Sequence, residues 1–163
     1  MYFPSRLARR ASVSLALLVS AAACGGDSTT APSMPSDPAT ETFAASLGVN
    51  LSLMTRKSAD LYVQDLVVGP GTEATSGRII RVTYTGWLKD GTKFDSNVGG
   101  DTFAFRLGNH DVVSGWDQGL VGMRVGGKRL SVIGSNLAYG PGGRGTIPPN
   151  ATLVFVVELV SIV

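Results

Sequence analysis

The sequence predicts an α+β domain in which several strands surround one short helix. Apolar side chains alternate with polar ones along several segments after residue 60, with the period of two that buries one face of a sheet. A single segment changes to a helical period. Consecutive strands joined by tight turns favour antiparallel pairing, because parallel pairing needs long crossover connections. Glycine accounts for 21 of 163 residues and charged residues for 16%, which indicates a compact domain rich in loops.

The strand predictions follow the chain in order. The first strand ends at Gly69-Pro70-Gly71, which is a turn signal, and the second ends at Asp90-Gly91, which is typical of a hairpin. Phe94 follows that hairpin. The main strands are predicted at residues 60–68, 80–88, 103–107, 130–133 and 153–159.

The single helix is predicted over residues 114–123. Ser114 is the expected N-cap, and Gly126-Gly127 is the expected stop signal. Three apolar residues lie on one face of this helix: Trp116, Leu120 and Met123.

The first 23 residues are predicted to be a secretory signal peptide. Three arginines, Arg6, Arg9 and Arg10, precede an uncharged run at 11–23 that has an apolar centre and ends in small residues. This run is too short for a helix that crosses the ~30 Å hydrocarbon core of a membrane, which needs about 20 residues. It therefore indicates a signal rather than a permanent anchor.

Cys24 is the expected lipidation site. It follows Ala21-Ala22-Ala23, an arrangement that resembles a bacterial lipobox, although ordinary signal cleavage that leaves a free thiol stays open. A stretch rich in Gly, Ser, Thr, Ala and Pro then predicts a flexible linker over residues 24–47 and a folded domain over 48–163. Gly25 is similar to enterobacterial sorting signals, so the expected location is the periplasmic face of the envelope, anchored in the outer membrane.

Composition excludes several kinds of site. With one cysteine and one histidine, the chain can form neither a Cys/His zinc site nor an internal disulfide. Fourteen basic residues nearly balance twelve acidic ones, and three of the basic residues lie in the signal segment. The folded part lacks the basic excess typical of nucleic-acid binders, so no nucleic-acid partner is expected.

Three catalytic patterns are considered and set aside. Residues 122–128 match part of a phosphate-binding G-x-x-x-x-G-K motif, but Arg129 replaces the Ser/Thr that would hold magnesium. His110 is the only possible histidine base, and without a G-x-S-x-G nucleophile motif it is interpreted as a solvated loop residue. Four aspartates are interpreted as caps and turn acceptors rather than acid–base pairs: Asp95, Asp101, Asp111 and Asp117.

Aromatic residues are spread over the predicted strands, the helix and the long 134–149 connection. The simplest interpretation is that these aromatic residues pack in the core, and we keep that interpretation for Phe105. Trp116 and Tyr139 each carry an N–H or O–H that needs a partner, which suits the floor and rim of an apolar pocket. The 134–149 loop has no regular period, and loops of this length in compact domains are usually functional or disordered.

Five segments closely resemble the FKBP-type peptidyl-prolyl cis-trans isomerases: VTYTGWL (82–88), GTKFDS (91–96), VSGWDQGL (113–120), AYG (138–140) and IPPNATLVF (147–155). They occur in the family's order and spacing, and the resemblance covers residues 48–163. It implies a curved antiparallel sheet wrapped around one short helix, with the active site between them. The chain is shorter at 96–101 and 142–146, and these departures at the rim are expected to affect inhibitor affinity and sequence preference more than the reaction.

The resemblance also implies the site residues. Trp116 corresponds to the floor on which the proline ring sits, and the Tyr139 hydroxyl and the Val113 N–H correspond to donors toward the substrate. The implied catalytic residues are Tyr84, Phe94, Asp95, Trp116, Tyr139 and Phe155. The implied substrate-binding residues are Phe103, Val112, Val113 and Ile147.

The expected function is isomerisation of X-Pro bonds during the folding of exported proteins. The expected partners are proline-containing polypeptides, macrolide immunosuppressant-type ligands and, through Cys24, a membrane. No metal or cofactor is expected. The main alternative is a non-catalytic chaperone or interaction module with the same fold, and a structural envelope lipoprotein is disfavoured because the chain has no repeats.

Overall fold

The computed structural model describes residues 34–163, so the predicted signal peptide and Cys24 lie outside the described range. Within this range, seven strands form one antiparallel sheet and a single short α-helix packs against it. The predicted α+β class is confirmed. No helix in residues 34–163 has both the length and the apolar character needed to cross a membrane.

The sheet is built around two long central strands. Its strands are β1 Thr55–Ser58, β2 Leu61–Val67, β3 Ile79–Leu88, β4 Lys93–Ser96, β5 Phe103–Arg106, β6 Lys128–Ile133 and β7 Leu153–Ile162. They are ordered β1-β2-β6-β7-β3-β4, and β5 pairs with β3 beside β4. β3 pairs with β7 from Ile80 opposite Ile162 to Leu88 opposite Leu153. These two strands contribute Tyr84 and Phe155 to the site described below.

The sequence predicted neither β4, where it placed only Phe94 after the hairpin, nor β1. The four residues of β1, TRKS, are polar and mostly exposed, so no hydrophobic alternation marks them. They form a strand because the edge of the sheet offers hydrogen-bond partners along β2, from Thr55 opposite Val63 to Ser58 opposite Leu61. An edge strand needs no buried face, and periodicity therefore does not reveal it.

The helix α1 spans Ser114–Gly119 and is shorter than the predicted 114–123 segment. Val113, not Ser114, occupies the N-cap position, and no side chain caps the first turn. The chain leaves the helix early because Gly122 adopts a left-handed φ of 84°, which ends helical propagation well before Gly126-Gly127. Met123 lies outside the helix but is still buried in the core.

Close contact between α1 and the sheet depends on glycine. A Cβ atom at Gly115 would collide with the side chain of Ile133 on β6. Without a side chain at this position, the helix lies directly on the apolar face of the sheet. The main core forms there from buried residues of the strands, α1 and the loops, including Leu61, Val82, Trp116, Leu120 and Leu153.

A second apolar cluster lies on the opposite face of the sheet, because successive strand residues point to alternate faces. Its buried members are Met54, Tyr62, Leu130, Val132 and Val154. Phe43, Leu47, Val49 and Leu51, which precede β1, pack against this cluster.

Residues 36–47, which the sequence interpretation assigned to the linker, contact the domain in the structure. Ser36 and Ser135 exchange hydrogen bonds between backbone N–H groups and side-chain hydroxyls at 3.2 and 2.9 Å. The Lys89 Nζ atom lies 3.0 Å from a Glu41 carboxylate oxygen. Phe43 adds apolar contact area beneath the sheet. Composition predicted a linker because these few apolar residues are diluted by Ser, Thr and Ala, yet they cover an otherwise exposed apolar cluster.

A buried arginine connects the end of α1 to the sheet. Arg129 on β6 donates through Nε and Nη2 to both carboxylate oxygens of Asp65 on β2, at 2.7 and 2.9 Å. Its Nη1 atom donates to the carbonyl oxygens of Gly119 and Val121, at 2.6 and 3.2 Å. The sequence analysis used Arg129 only to reject a phosphate-binding motif. Its structural role is to satisfy carbonyl groups at the C-terminal end of the helix.

Candidate active site

A cavity of about 590 Å³ opens between α1, the sheet and the loops that follow β5 and β6. Nine of the ten residues implied by the sequence resemblance line this cavity: Tyr84, Phe94, Asp95, Phe103, Val112, Val113, Trp116, Tyr139 and Phe155. Five further lining residues were not predicted: His110, Asp111, Ser114, Ala138 and Arg144. The tenth predicted residue, Ile147, does not line the cavity. It is 7% exposed and packs in the main core, because the loop turns its side chain inward.

Trp116 is the centre of the aromatic wall. It is 4% exposed and is contributed by the first turns of α1. Its ring centroid lies 5.0 Å from that of Tyr84 and 5.3 Å from that of Phe155, in both cases edge to face. Phe105 and Phe103 approach it at 5.7 and 6.4 Å. Edge-to-face packing suits the positive edge and negative face of each ring, so the wall is rigid and apolar.

Gly86 makes this wall possible and was not recognised as a site residue. A Cβ atom there would lie 2.6 Å from Cζ of Phe94 and 2.7 Å from Cε1 of Phe155. These two rings meet at 5.5 Å with an interplanar angle of 90° over the bare backbone of β3. The glycine in the VTYTGWL segment is the sequence signal that could have indicated this close approach.

Tyr84 and Asp95 form a hydrogen-bonded pair across β3 and β4. The Tyr84 hydroxyl donates to the Asp95 carboxylate at 2.6 Å. Burial, and after it this hydrogen bond, raises the pKa of Tyr84 above its ordinary value. The phenol thus holds its proton more firmly than a free tyrosine does and directs it at Asp95. Asp95 acts as a side-chain acceptor within the cavity, not as the turn acceptor that the sequence interpretation expected.

Asn97 fixes the position of Tyr84 and was missed by the sequence analysis. Its side-chain oxygen accepts the Tyr84 backbone N–H at 2.7 Å. Its amide nitrogen donates to the carbonyl oxygens of Val82 and Asp101 at 3.1 and 3.0 Å. One amide side chain thus completes the end of the β3–β4 ladder and anchors the following loop. Only its place after a strand, in a short turn, hinted at this role.

Asp117 organises the loop on the other side of the helix. It is 8% exposed and accepts the backbone N–H groups of Gly108 and His110 at 2.7 and 2.9 Å. His110 consequently adopts a positive φ of 60°, and its Nδ1 atom lies 3.7 Å from the Asp117 carboxylate. The His110 side chain is 83% exposed, in agreement with its interpretation as a solvated loop residue. The prediction that Asp117 serves as a turn acceptor is confirmed.

Asp111 holds the same loop from its other end. Its carboxylate accepts from the Asn109 side chain at 2.8 Å and from the Arg106 backbone N–H at 3.2 Å. These two hydrogen bonds, the one from Asn109 first, lower the pKa of Asp111. Asp111 is thus also a turn acceptor, as predicted. The two aspartates together set the backbone that leads through Val112 and Val113 into α1.

Tyr139 lies at the beginning of a loop that is fixed by its own backbone. It precedes a short 3₁₀ turn at Gly140–Gly142, and the Asn150 N–H donates to the Gly140 carbonyl at 2.8 Å. Further along, Arg144 and Ile147 exchange two backbone hydrogen bonds at 2.9 Å each. The connection that lacked any sequence period is therefore ordered by hydrogen bonds within the loop, and it brings Tyr139 and Arg144 to the cavity.

The cavity offers a buried aromatic floor with a few polar groups at its edge, which suits a ligand that carries a small apolar ring. Within residues 34–163, no group of three His, Cys, Asp or Glu side chains is placed to hold a metal ion. The side chains that could act on a ligand are hydroxyl and N–H donors.

Known proteins are similar to this chain in sequence and in fold. The family model described as FKBP-type peptidyl-prolyl cis-trans isomerase matches residues 71–160, more than half of the chain. An FK506-binding protein of Neisseria meningitidis serogroup B is 48% identical over 104 residues, which are 63% of this chain and 95% of that protein. FK506-binding protein 4 of Dictyostelium discoideum is 50% identical over 102 residues, 62% of this chain but only 28% of that protein.

Solved structures of FKBP-type proteins are also similar to this chain. The crystal structure of AtFKBP13 matches with a TM-score of 0.59 and 38% identity, covering 63% of this chain and 93% of that one. The crystal structure of FkpA from Escherichia coli matches with a TM-score of 0.62 and 39% identity, covering 68% and 51% of the two chains. The chain therefore belongs to the FKBP-type peptidyl-prolyl cis-trans isomerases, enzymes that catalyse rotation about the peptide bond preceding proline.

Proposed function

We propose that the aromatic cavity is the site of isomerisation and that the proline ring of the substrate rests on Trp116. The observation that carries this proposal is the buried indole of Trp116, surrounded by Tyr84, Phe155 and further rings at the bottom of the cavity. Phe94 and Phe103 form the walls beside this floor, and Val112 extends it toward the helix.

The physics of the reaction explains why such a cavity is sufficient. Rotation about the X-Pro bond meets a barrier of about 18–20 kcal/mol, which reflects the loss of amide resonance. The planar amide carries partial negative charge on oxygen that water stabilises, and the twisted form carries less. An apolar cavity therefore favours the twisted amide over the planar one, relative to water, which is preferential binding of the transition state. A ten-thousand-fold acceleration needs only about 5.5 kcal/mol.

Two donors orient the substrate in this proposal. The Tyr139 hydroxyl donates to a substrate carbonyl oxygen from the loop, and the Val113 N–H donates from the N-cap of α1. A helix N-cap residue lies outside the helical hydrogen-bond ladder, which leaves its N–H without an acceptor inside the helix. Tyr84 and Asp95 are occupied by their mutual hydrogen bond, and their role is to fix the ring of Tyr84 against Trp116.

Tyr139→Phe tests the assignment of the loop donor. It removes one neutral hydrogen bond worth roughly 0.5–1.5 kcal/mol, so kcat/KM should fall about two- to twelve-fold. The measurement is a protease-coupled assay on Xaa-Pro peptides. Tyr62→Phe is the matched control, because Tyr62 is buried on the opposite face of the sheet, and it should keep full activity. A fall beyond a hundred-fold for Tyr139→Phe would contradict a simple hydrogen-bonding role.

We also propose that the cavity accepts macrolide ligands. Two of the relatives above bear the name FK506-binding protein, and the cavity is large and aromatic enough to hold the ring portion of such a molecule. FK506 should then inhibit isomerisation competitively with the peptide.

The proposed setting of this activity is the folding of exported proteins, with the enzyme attached to the outer membrane through Cys24. Support comes from the signal-like segment, the lipobox-like AAAC sequence and Gly25 after the cysteine. Proline isomerisation is slow enough to limit folding, so a tethered isomerase would act on chains emerging outside the cytoplasm.

Cys24→Ser tests the anchor. The variant should move from the membrane fraction to the soluble fraction, because lipidation requires the thiol. Labelling with radioactive palmitate should mark the wild type alone. Cys24→Ser protein that still sediments with membranes would contradict the lipoprotein proposal, and it would leave the assignment of the cavity unaffected.

A further inference from the structure

Arg144 is a cation at the edge of the cavity that the family resemblance did not assign. Its side chain lines the cavity, and its guanidinium carbon lies 5.5 Å from the centroid of the Tyr139 ring. The residue is exposed and forms no ion pair with any carboxylate in residues 34–163. Its positive charge is therefore available to a bound ligand.

The position of Arg144 is fixed although it lies in a loop. Two backbone hydrogen bonds join it to Ile147, whose side chain is buried in the core. The preceding Gly143 adopts a positive φ of 62°, and a Cβ atom there would collide with the Ile147 carbonyl oxygen. The turn is therefore tight. The cation–π contact with Tyr139 further favours a guanidinium held at the cavity over one extended into solvent.

The two acidic residues that line the cavity, Asp95 and Asp111, form no ion pair with Arg144. Asp95 accepts the Tyr84 hydroxyl, and Asp111 accepts two hydrogen bonds from the 106–109 turn. Both carboxylates belong to other elements, β4 and the loop before α1, and neither pairs with Arg144. The loop that carries Tyr139 thus presents positive charge, while the other walls present carboxylates that are already hydrogen-bonded within the protein.

We propose that Arg144 is a specificity-determining residue that selects substrates with a carboxylate side chain directly beside the isomerising proline. The inference rests on the proposed function, in which Tyr139 contacts the substrate carbonyl. A guanidinium over the Tyr139 ring then lies within reach of the side chain on a residue adjacent to the proline. Because the site is exposed, the preference should be modest and should weaken as salt screens the charges.

The test compares peptides that carry Glu, Gln or Lys beside the proline. Residues before the proline are varied in the protease-coupled assay, and residues after it in peptides followed by NMR exchange spectroscopy. The wild type should show kcat/KM about two- to five-fold higher for Glu than for Gln in at least one series, and lower for Lys. The Glu preference should shrink in 1 M NaCl. Arg144→Gln should abolish it, and Arg144→Lys should retain part of it.

Arg56 supplies a matched control. Its guanidinium carbon lies 5.6 Å from the centroid of the Tyr62 ring, nearly the same arrangement, but on the edge strand β1. Arg56→Gln removes the same charge from the protein and should leave the Glu preference intact. Equal rates for Glu and Gln peptides in both series, or a preference that survives Arg144→Gln, would overturn the inference. Absence of activity toward every peptide would instead overturn the proposed site.

Discussion

Replacing Asp65 with alanine should lower the free energy of unfolding by about 3 kcal/mol, because it leaves a buried guanidinium without its counter-ion. The Arg129 side chain is only 7% exposed, whereas that of Asp65 is 39% exposed. Arg129 keeps the Gly119 and Val121 carbonyls as acceptors. The loss of unfolding free energy should therefore lie at the lower end of the range expected when one partner of a buried ion pair is removed.

Replacing Arg129, the other member of the pair, should lower the free energy of unfolding by less. Arg129→Met leaves Asp65 free to bind water, and the main penalty is the buried Gly119 carbonyl that loses its donor, worth about 1–3 kcal/mol. In the double variant, Asp65→Ala with Arg129→Met, no charge remains to be compensated. Its destabilisation should fall short of the sum of the two single values by at least about 1 kcal/mol.

Urea denaturation of the four proteins measures this cycle. Glu73→Ala is the control, since Glu73 and Arg124 form an ion pair at 3.2 Å in which both side chains are about half exposed. Such a pair contributes at most about 1 kcal/mol. Strictly additive single effects, or a larger loss for Arg129→Met than for Asp65→Ala, would show that burial of the arginine is not the source of the coupling.

Strands that bury one face could be predicted from the sequence. The prediction failed for segments whose structure depends on contacts with residues far away in the sequence. β2, β3, β5, β6 and β7 carry a repeating apolar side that periodicity detects. β1 is polar, and its place is fixed by hydrogen bonds to β2. Likewise, Phe43 and Leu47 pack beneath the sheet although their surroundings in the sequence resemble a linker.

The same distinction holds in the candidate site. The aromatic residues could be predicted because large rings on separate elements must meet either in the core or at a pocket. The family resemblance then indicated which of these rings belong to the pocket. Asn97 binds the backbone of Tyr84, and Arg144 lies over the ring of Tyr139. Both residues lie in short polar loop segments, where no sequence pattern distinguishes a residue with such a role from a solvated one. Ile147 was assigned to the cavity from the family resemblance, but its side chain is buried in the main core.

Replacing Trp116 with leucine should lower kcat/KM at least about ten-fold, equivalent to about 1.4 kcal/mol of transition-state stabilisation. The substitution removes the edge-to-face contacts with Tyr84 and Phe155 and admits water to the place where the twisted amide must stay dry. Trp116→Ala would confuse the result, because the vacated volume alone can cost about 3–5 kcal/mol of stability. Leucine fills much of that volume. It also removes the indole N–H, which is buried without an acceptor in residues 34–163, and this offsets part of the stability loss.

Trp87→Leu is the matched control for this experiment. Trp87 follows Gly86 on β3, so its side chain points away from the cavity face that Tyr84 shares. The same change of side chain at Trp87 should leave kcat/KM within about two-fold of the wild type, and circular dichroism should show both variants folded. If Trp116 supplies the floor of the site, the two substitutions must separate in activity while both proteins stay folded. Equal losses of activity would mean that the apolar floor does not favour the twisted amide, and catalysis would then depend on the donors at Tyr139 and Val113.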